Sequence, residues 1–213
     1  MDRTIELVIL THAHSDHVSG LIELLRRYDV KHILERRTGF DSPQYDAWRR
    51  AVEEEGAEVT QASAGQVIAM GDGVFLSVVS PADKLLAGTR SDVDNASVVV
   101  RLVYGDISFL LTGDVFGEGE SALLDSGANI DSDVLKVGHH GSRSSSSGAF
   151  LEAVSPAIAI ISAGEDNLFG HPHPETLEAL AEWVPDDGLF LTKDRGVIEF
   201  ISDGRRLLVK TER

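Results

Sequence analysis

Ile5-Glu6-Leu7-Val8-Ile9-Leu10-Thr11-His12-Ala13-His14-Ser15-Asp16-His17 is the stretch on which the reading of this chain turns. A mostly apolar run of strand length is followed at once by His12, His14, Asp16 and His17, so the four polar side chains emerge together at a strand end. In an extended turn His12 and His14 point to one side, whereas Asp16 and His17 enter the next helix and can face a second ion. Imidazole and carboxylate ligands suit zinc, manganese or iron. The plain alternative is a solvated loop with Asp16 near a helix N-cap, which accounts for one such residue better than for a cluster.

Outward from this motif, apolar runs alternate with amphipathic stretches. Strands are expected at residues 5–10, 31–34, 74–80, 98–104, 107–112, 134–137, 157–162, 189–192, 197–201 and 207–209. Helices are expected near residues 19–28, 44–55, 121–125, 149–154 and 174–183. This is an α/β rhythm, and Gly105-Asp106 suits the positive φ angles of a tight hairpin turn. Nothing repeats internally, and the serine run 144–147 reads as a mobile loop.

Three further polar clusters also follow predicted strands. Thr112-Gly113-Asp114 places a carboxylate past a buried strand, where it either bridges ions or caps the helix beginning near Phe116. Gly138-His139-His140-Gly141-Ser142 offers two adjacent imidazoles that point different ways, so one of His139 and His140 ligates and the other moves a proton or meets substrate. Asn167-Leu168-Phe169-Gly170-His171-Pro172-His173-Pro174 offers His171 ahead of His173, with Pro174 suited to the first turn of a helix. Lys136 and Arg143 flank the third cluster and are candidates for phosphate contact or for plain solvation. If the four strand ends share one edge of the fold, these loops converge on a site.

Composition narrows the chemistry. The chain has 213 residues, 42% of them hydrophobic, which suits one domain spanning residues 1–213. Zero cysteines exclude disulfides and thiol catalysis, so any metal is held by His, Asp or Glu. The net charge of −16 weighs against a broad basic grip on nucleic acid, although bound cations invert the sign locally. No run is apolar enough to span a bilayer, and the N-terminus has no signal-peptide pattern.

The pattern His12-Ala13-His14-Ser15-Asp16-His17 resembles the signature of the metallo-β-lactamase superfamily. Asp94-Asn95-Ala96-Ser97, Leu111-Thr112-Gly113-Asp114, Leu135-Lys136-Val137-Gly138-His139-His140-Gly141-Ser142 and Gly170-His171-Pro172 resemble a narrower branch, the C-terminal hydrolase domain of the ComEC/Rec2 DNA-uptake proteins. The resemblance implies an αββα sandwich holding one or two divalent ions, Zn2+ or Mn2+. His12, His14, Asp16, His17 and Asp114 match ligand positions, and His139 or His171 supplies the remaining one. It further implies hydrolysis of a phosphodiester, with single-stranded DNA as the substrate and a membrane DNA channel as the associated assembly. Asp16 would accept a proton from the attacking water, and the spare imidazole of His139, His140 or His171 would protonate the leaving group.

Two departures accompany the resemblance. A histidine that the superfamily places between the first cluster and the Gly-Asp pair is absent, leaving Asp94 or Asn95 to fill that position. The chain also begins one strand before the His-rich motif, so the first strands of the fold are expected to be missing, with apolar edges exposed. Outside DNA cleavage, the alternatives are hydrolysis of a small ester, lactam or thioester, and a non-catalytic truncated interaction module. Compartment follows from the same resemblance: soluble as written, extracytoplasmic or membrane-associated as part of an uptake channel.

Overall fold

Alternation along β1 (Thr4–Leu10) sends Val8 and Leu10 to one face of the strand and Leu7 and Ile9 to the other, and both faces are covered. The computed structural model describes residues 3–213. β1, β2 (Asp29–Glu35) and β3 (Glu58–Gln61) form a parallel three-stranded sheet in that order. Val8, Leu10 and Ile33 pack beneath α1 (Ser15–Leu25) and α2 (Pro43–Glu55), meeting Val18, Leu25 and the fully buried Trp48. Helix α2 starts where the sequence signals it: the Ser42 hydroxyl accepts from Tyr45 N–H, Pro43 occupies the first turn, and Gly56 ends the helix at φ 74°.

The second sheet contains β4 (Val67–Gly71), β5 (Val74–Ser80), β6 (Val99–Tyr104), β7 (Ile107–Leu111), β8 (Val134–Lys136), β9 (Ile158–Ile161) and β10 (Leu189–Leu191). Its strand order is β10-β9-β8-β7-β6-β5-β4, antiparallel from β4 to β7 and parallel from β7 to β10. Leu76, Val78 and Val100 face Leu34 of the first sheet. Val99, Leu110, Leu135 and Ile161 point away, against Phe150, Leu151 and Leu180. The helices on that side are α3 (Gly117–Ser126), α4 (Gly148–Val154) and α5 (Pro174–Ala181). Helices, sheet, sheet and helices therefore stack as an αββα sandwich, as the sequence reading expects. Leu110 and Leu135 are fully buried, and truncating either to Ala costs about 2–5 kcal/mol. A single turn, α6 (Thr192–Arg195), and the hairpin β11 (Ile198–Ser202) with β12 (Leu207–Thr211) follow.

Several expectations need correction. Helix α1 begins at Ser15 rather than near residue 19, because the His14 carbonyl accepts from the N–H groups of His17 and Val18 at 3.1 and 3.0 Å. Strands β3 and β4 escape the sequence reading: both are short and largely exposed, with no alternating apolar face. The serine run is no loose loop. Ser145 and Ser146 are buried, and the carboxylate of buried Glu120 accepts from the N–H groups of Ser146 and Ser147. β1 is an edge strand, and beside it a cavity of about 520 Å3 opens between the sheets, lined by Leu7, Ile33, Leu34 and Ile68, with Val67 exposed.

Candidate metal centre

Because β7, β8 and β9 run parallel, their carboxyl ends share one edge of the second sheet, and the loops leaving them meet the loop leaving β1 there. Two groups of donor atoms result: His12, His14 and Asp94 in one, and Asp16, His17, Asp114 and His140 in the other. In the first, Asp94 Oδ1 lies 3.0 Å from His14 Nδ1 and 3.3 Å from His12 Nε2. In the second, Asp114 Oδ2 lies 3.2 Å from His17 Nε2 and 3.3 Å from His140 Nε2, and Asp16 Oδ2 lies 3.3 Å from His140 Nε2. Asp114 Oδ2 also stands 3.9 Å from His12 Nε2, so this carboxylate reaches both groups.

The donors satisfy one another only in part. His12 Nε2, Asp94 Oδ1 and Asp114 Oδ1 are buried without a well-aligned hydrogen bond, although Asp94 Oδ1 lies in ion-pair range of His14. Buried polar atoms left unpaired cost about 1–3 kcal/mol each, and orphans gathered at one point fit a cation. His17 Nε2 and His140 Nε2 lie 3.3 Å apart, a distance that suits a hydrogen bond when one carries the proton and two ligands of one cation when neither does.

The imidazoles are held from behind. Thr11 Oγ1 lies 3.1 Å from His12 Nδ1 and 3.2 Å from His17 Nδ1, and His140 Nδ1 donates to the Ser162 carbonyl at 2.8 Å. That last bond makes Nε2 of neutral His140 a lone-pair donor, the usual support for a ligating histidine. His140 reaches its place through a left-handed turn, with His139 at φ 46° and His140 at φ 54°. Such conformations cost non-glycine residues about 1 kcal/mol or more each. Gly141 completes the turn at φ 81°, and a Cβ there would lie 2.7 Å from Pro172 Cβ. Gly113 allows an equally close approach: a Cβ there would lie 2.9 Å from Ser97 Oγ, which accepts from Asp114 N–H at 3.2 Å.

The charges follow the local partner of each ring rather than the division into groups. Burial, followed by the neighbouring His17, lowers His12 to about 4. His14 is raised by Asp94 beside it. Asp114 and then Asp16 raise His140 to about 10, and His140 in turn lowers Asp16 to about 2. Burial opposes ionisation of Asp114, but His140 and His17 outweigh it and hold the carboxyl far below its ordinary range.

His12, His14, Asp16, His17 and Asp114 thus lie together, joined by His140 and by Asp94. His139 lies outside both groups: its Nδ1 is 2.7 Å from Ser144 Oγ and its ring stacks on Phe116 at 4.7 Å. His171 also stands apart, its ring parallel to that of His140 at 6.4 Å and stacked with Phe169 at 5.7 Å. Asn95 turns away from the centre, where its Oδ1 accepts from Phe116 and Gly119 N–H at the start of α3, the capping role the sequence reading allowed for Asp114. Arg143 points to Glu175, while Lys136 is tucked inward with Nζ donating to the Val137 carbonyl. Sequence reasoning misses Thr11, Ser97 and Ser162. Thr11 adjoins the motif and is a fair signal, whereas Ser162 acts through its main chain and leaves none.

Comparison with known proteins gives the family. Residues 1–165 match the model of the metallo-beta-lactamase superfamily. The chain is similar to ComE operon protein 3 of Bacillus subtilis, 35% identical over 84% of this chain and 22% of that protein. It is also similar to competence protein ComA of Neisseria gonorrhoeae, 38% identical over 61% of this chain and 18% of that protein. The chain therefore spans about a fifth of the length of these relatives. Among solved structures, CmlA, a diiron beta-hydroxylase from Streptomyces venezuelae, shares the fold with a TM-score of 0.59 at 14% identity, over 90% of this chain and 44% of that one. The fold, its donor-bearing loops and the residues matched together place this chain in the metallo-β-lactamase superfamily, among relatives of the competence proteins.

Proposed function

We propose that this metal-dependent hydrolase cuts phosphodiester bonds of a DNA strand, in an assembly that takes DNA up across a membrane. The observation that carries the reading is the position of Asp114, whose carboxylate reaches both donor groups, as a bridging ligand between two cations would. One divalent ion, Zn2+ or Mn2+, would be held by His12, His14 and Asp94, and the other by Asp16, His17 and His140. Ions so held lower the pKa of water to roughly 7 and stabilise charge on phosphoryl oxygens. The competence proteins among the relatives supply the DNA-uptake setting.

The chain's own residues divide the remaining work. Asp16 has the more exposed carboxylate, and the oxygen it does not turn to His17 and His140 would accept the proton of the attacking water. His171 lines the cleft outside both donor groups, and its imidazole would protonate the leaving oxygen. Thr11 and the Ser162 carbonyl keep the ligating rings oriented while charge moves. A second reading, hydrolysis of a small ester, lactam or thioester, is favoured by one observation: among the described residues no Lys or Arg lines the cleft.

The test is metal content per chain, compared with a His14→Ala/Asp114→Ala double variant, followed by assays of single-stranded DNA and of ester and lactam substrates with Mn2+ or Zn2+. Retention of about one or two ions by the parent alone, with metal-dependent DNA cleavage, supports the reading. Metal retention with turnover of the small substrates only would replace it with the second.

A further inference from the structure

Beyond the donor groups the cleft divides into two cavities. One, of about 330 Å3, is walled by His14, Phe40 and Gln44, and the other, of about 410 Å3, by Ser162, Asn167 and Thr192. Each is of a size that holds a small organic group. Asp16, His140, Phe169 and His171 line both, so Phe169 stands between them, on the cleft that the candidate metal centre also lines.

Phe169 is 77% exposed and its neighbour Leu168 is 99% exposed. Their loop is closed across its base. The Asn167 side chain accepts from His171 N–H at 2.8 Å and donates to the His171 carbonyl at 2.7 Å, while Gly170 turns the chain at φ 73°. This clamp holds the two apolar side chains out in water. The Phe169 ring lies near parallel to that of His171, at 22° and 5.7 Å, and most of its remaining surface is open. Across the first cavity, Phe40 stands edge-on to His14 at 5.4 Å.

Charge narrows what this ring can serve. Among the described residues neither cavity has a Lys or Arg, and the chain carries a net charge of −16. A nucleic-acid strand here cannot be gripped in the usual way, by basic side chains along its phosphates. Apart from cations at the centre, the contacts on offer are aromatic. We propose that Phe169 is a specificity-determining residue: a platform on which a nucleobase next to the scissile phosphodiester stacks, admitting an unpaired strand and excluding a duplex. A base within a duplex is already stacked and paired, and cannot lie on Phe169 without leaving the helix. The inference rests on the phosphodiesterase reading for the bond broken, but its test reads binding.

The experiment uses metal-loaded protein and a short single-stranded DNA carrying one fluorescent adenine analogue. The parent is expected to quench the analogue, to bind the strand with a shallow salt dependence, and to prefer it to the duplex. Phe169→Ala and Phe169→Leu are expected to lose the quenching and about 5- to 150-fold in affinity, the range of one base–ring stack. Both substitutions are at an exposed ring, so folding is not in question. Quenching by a parent that does not cut DNA upholds the platform and removes the phosphodiesterase reading. Cleavage and binding unchanged in both variants overturn the platform and leave that reading standing. Equal affinity for duplex, or DNA binding unaltered while the variants lose self-association, also overturns it.

Discussion

The two donor groups are built of the same residue types and differ most at one member each. The side chains of His12 and Asp94 are 0% and 6% exposed with His14 at 34%, whereas that of Asp16 is 58% exposed, with His140 at 25%, His17 at 17% and Asp114 at 3%. One histidine of each group responds in the opposite direction: burial drives His12 down to about 4, and two carboxylates drive His140 up to about 10, while His14, beside Asp94 in the first group, is raised. A neutral imidazole kept from water is ready to ligate, so the buried group is suited to retaining its ion. Asp16 and His140 of the open group line both cavities whereas His14 lines one, so the open group is the better suited to exchanging water and substrate. Asp114 couples them.

Removing that coupling has the largest expected effect. Asp114→Ala is predicted to lose metal from both groups and to lower hydrolysis by more than about 100-fold, since even residues that merely support ligands cost about 10- to 100-fold. Metal analysis and turnover on one preparation decide it, and loss of a single ion would remove the bridging role. Next come the two groups taken separately. His12→Ala should release the ion of the buried group, while His140→Ala should keep that ion, lose the other and depress turnover about 10- to 100-fold. Identical metal loss in both variants would mean that the groups act as one site.

With metals stripped by chelator, the same contrast becomes a pH profile of stability. His140, raised from 6.5 to about 10, contributes stability that is complete below pH 6.5 and disappears as pH rises through about 10. His12, lowered from 6.5 to about 4, works in the other sense: its contribution is complete above pH 6.5 and is lost as pH falls toward 4. Asp16 adds a further loss as pH falls from 3.8 through about 2. Stability of the stripped protein should therefore peak near pH 6.5. Urea unfolding should show the alkaline limb flattening in His140→Gln and the acid limb flattening in His12→Gln. A single limb altered in both variants would contradict the assignment.

Much of this centre is legible in the order of the amino acids. The strand feeding His12 and His14 is apolar on both faces because both are covered, and the parallel strands β7 to β9 bring the later motifs to the same edge. The rest is decided by backbone geometry that composition does not encode. His139 and His140 have the same chemistry, and only the left-handed turn and the Ser162 carbonyl decide which of them faces Asp114. Asp94 and Asn95 are adjacent candidates for one ligand position, and it is Asp94 that faces His12 and His14, while Asn95 is occupied at α3. The serine run misleads because its anchor, Glu120, lies far away in sequence.

That anchor gives the smallest and last prediction, since it touches neither group directly. Glu120 is 1% exposed, and burial pushes its carboxyl above the ordinary 4.5 even though the N–H groups of Ser146 and Ser147 donate to it. A carboxyl raised in this way binds its proton more tightly in the folded chain, so its contribution to stability falls as pH rises above 4.5. Glu120→Gln removes that slope, but it turns an amide N–H2 toward backbone donors and should cost about 1–3 kcal/mol. The serine run carries Ser144, the partner of His139, and His139 lies outside both donor groups. Metal content of Glu120→Gln should therefore match the parent at both groups, with turnover little changed. Unfolding curves and metal analysis together check this. Loss of the ion from the open group alone would show that the serine run positions His140 through its neighbour, and would tie the two sides of the centre more closely than their separate surroundings suggest.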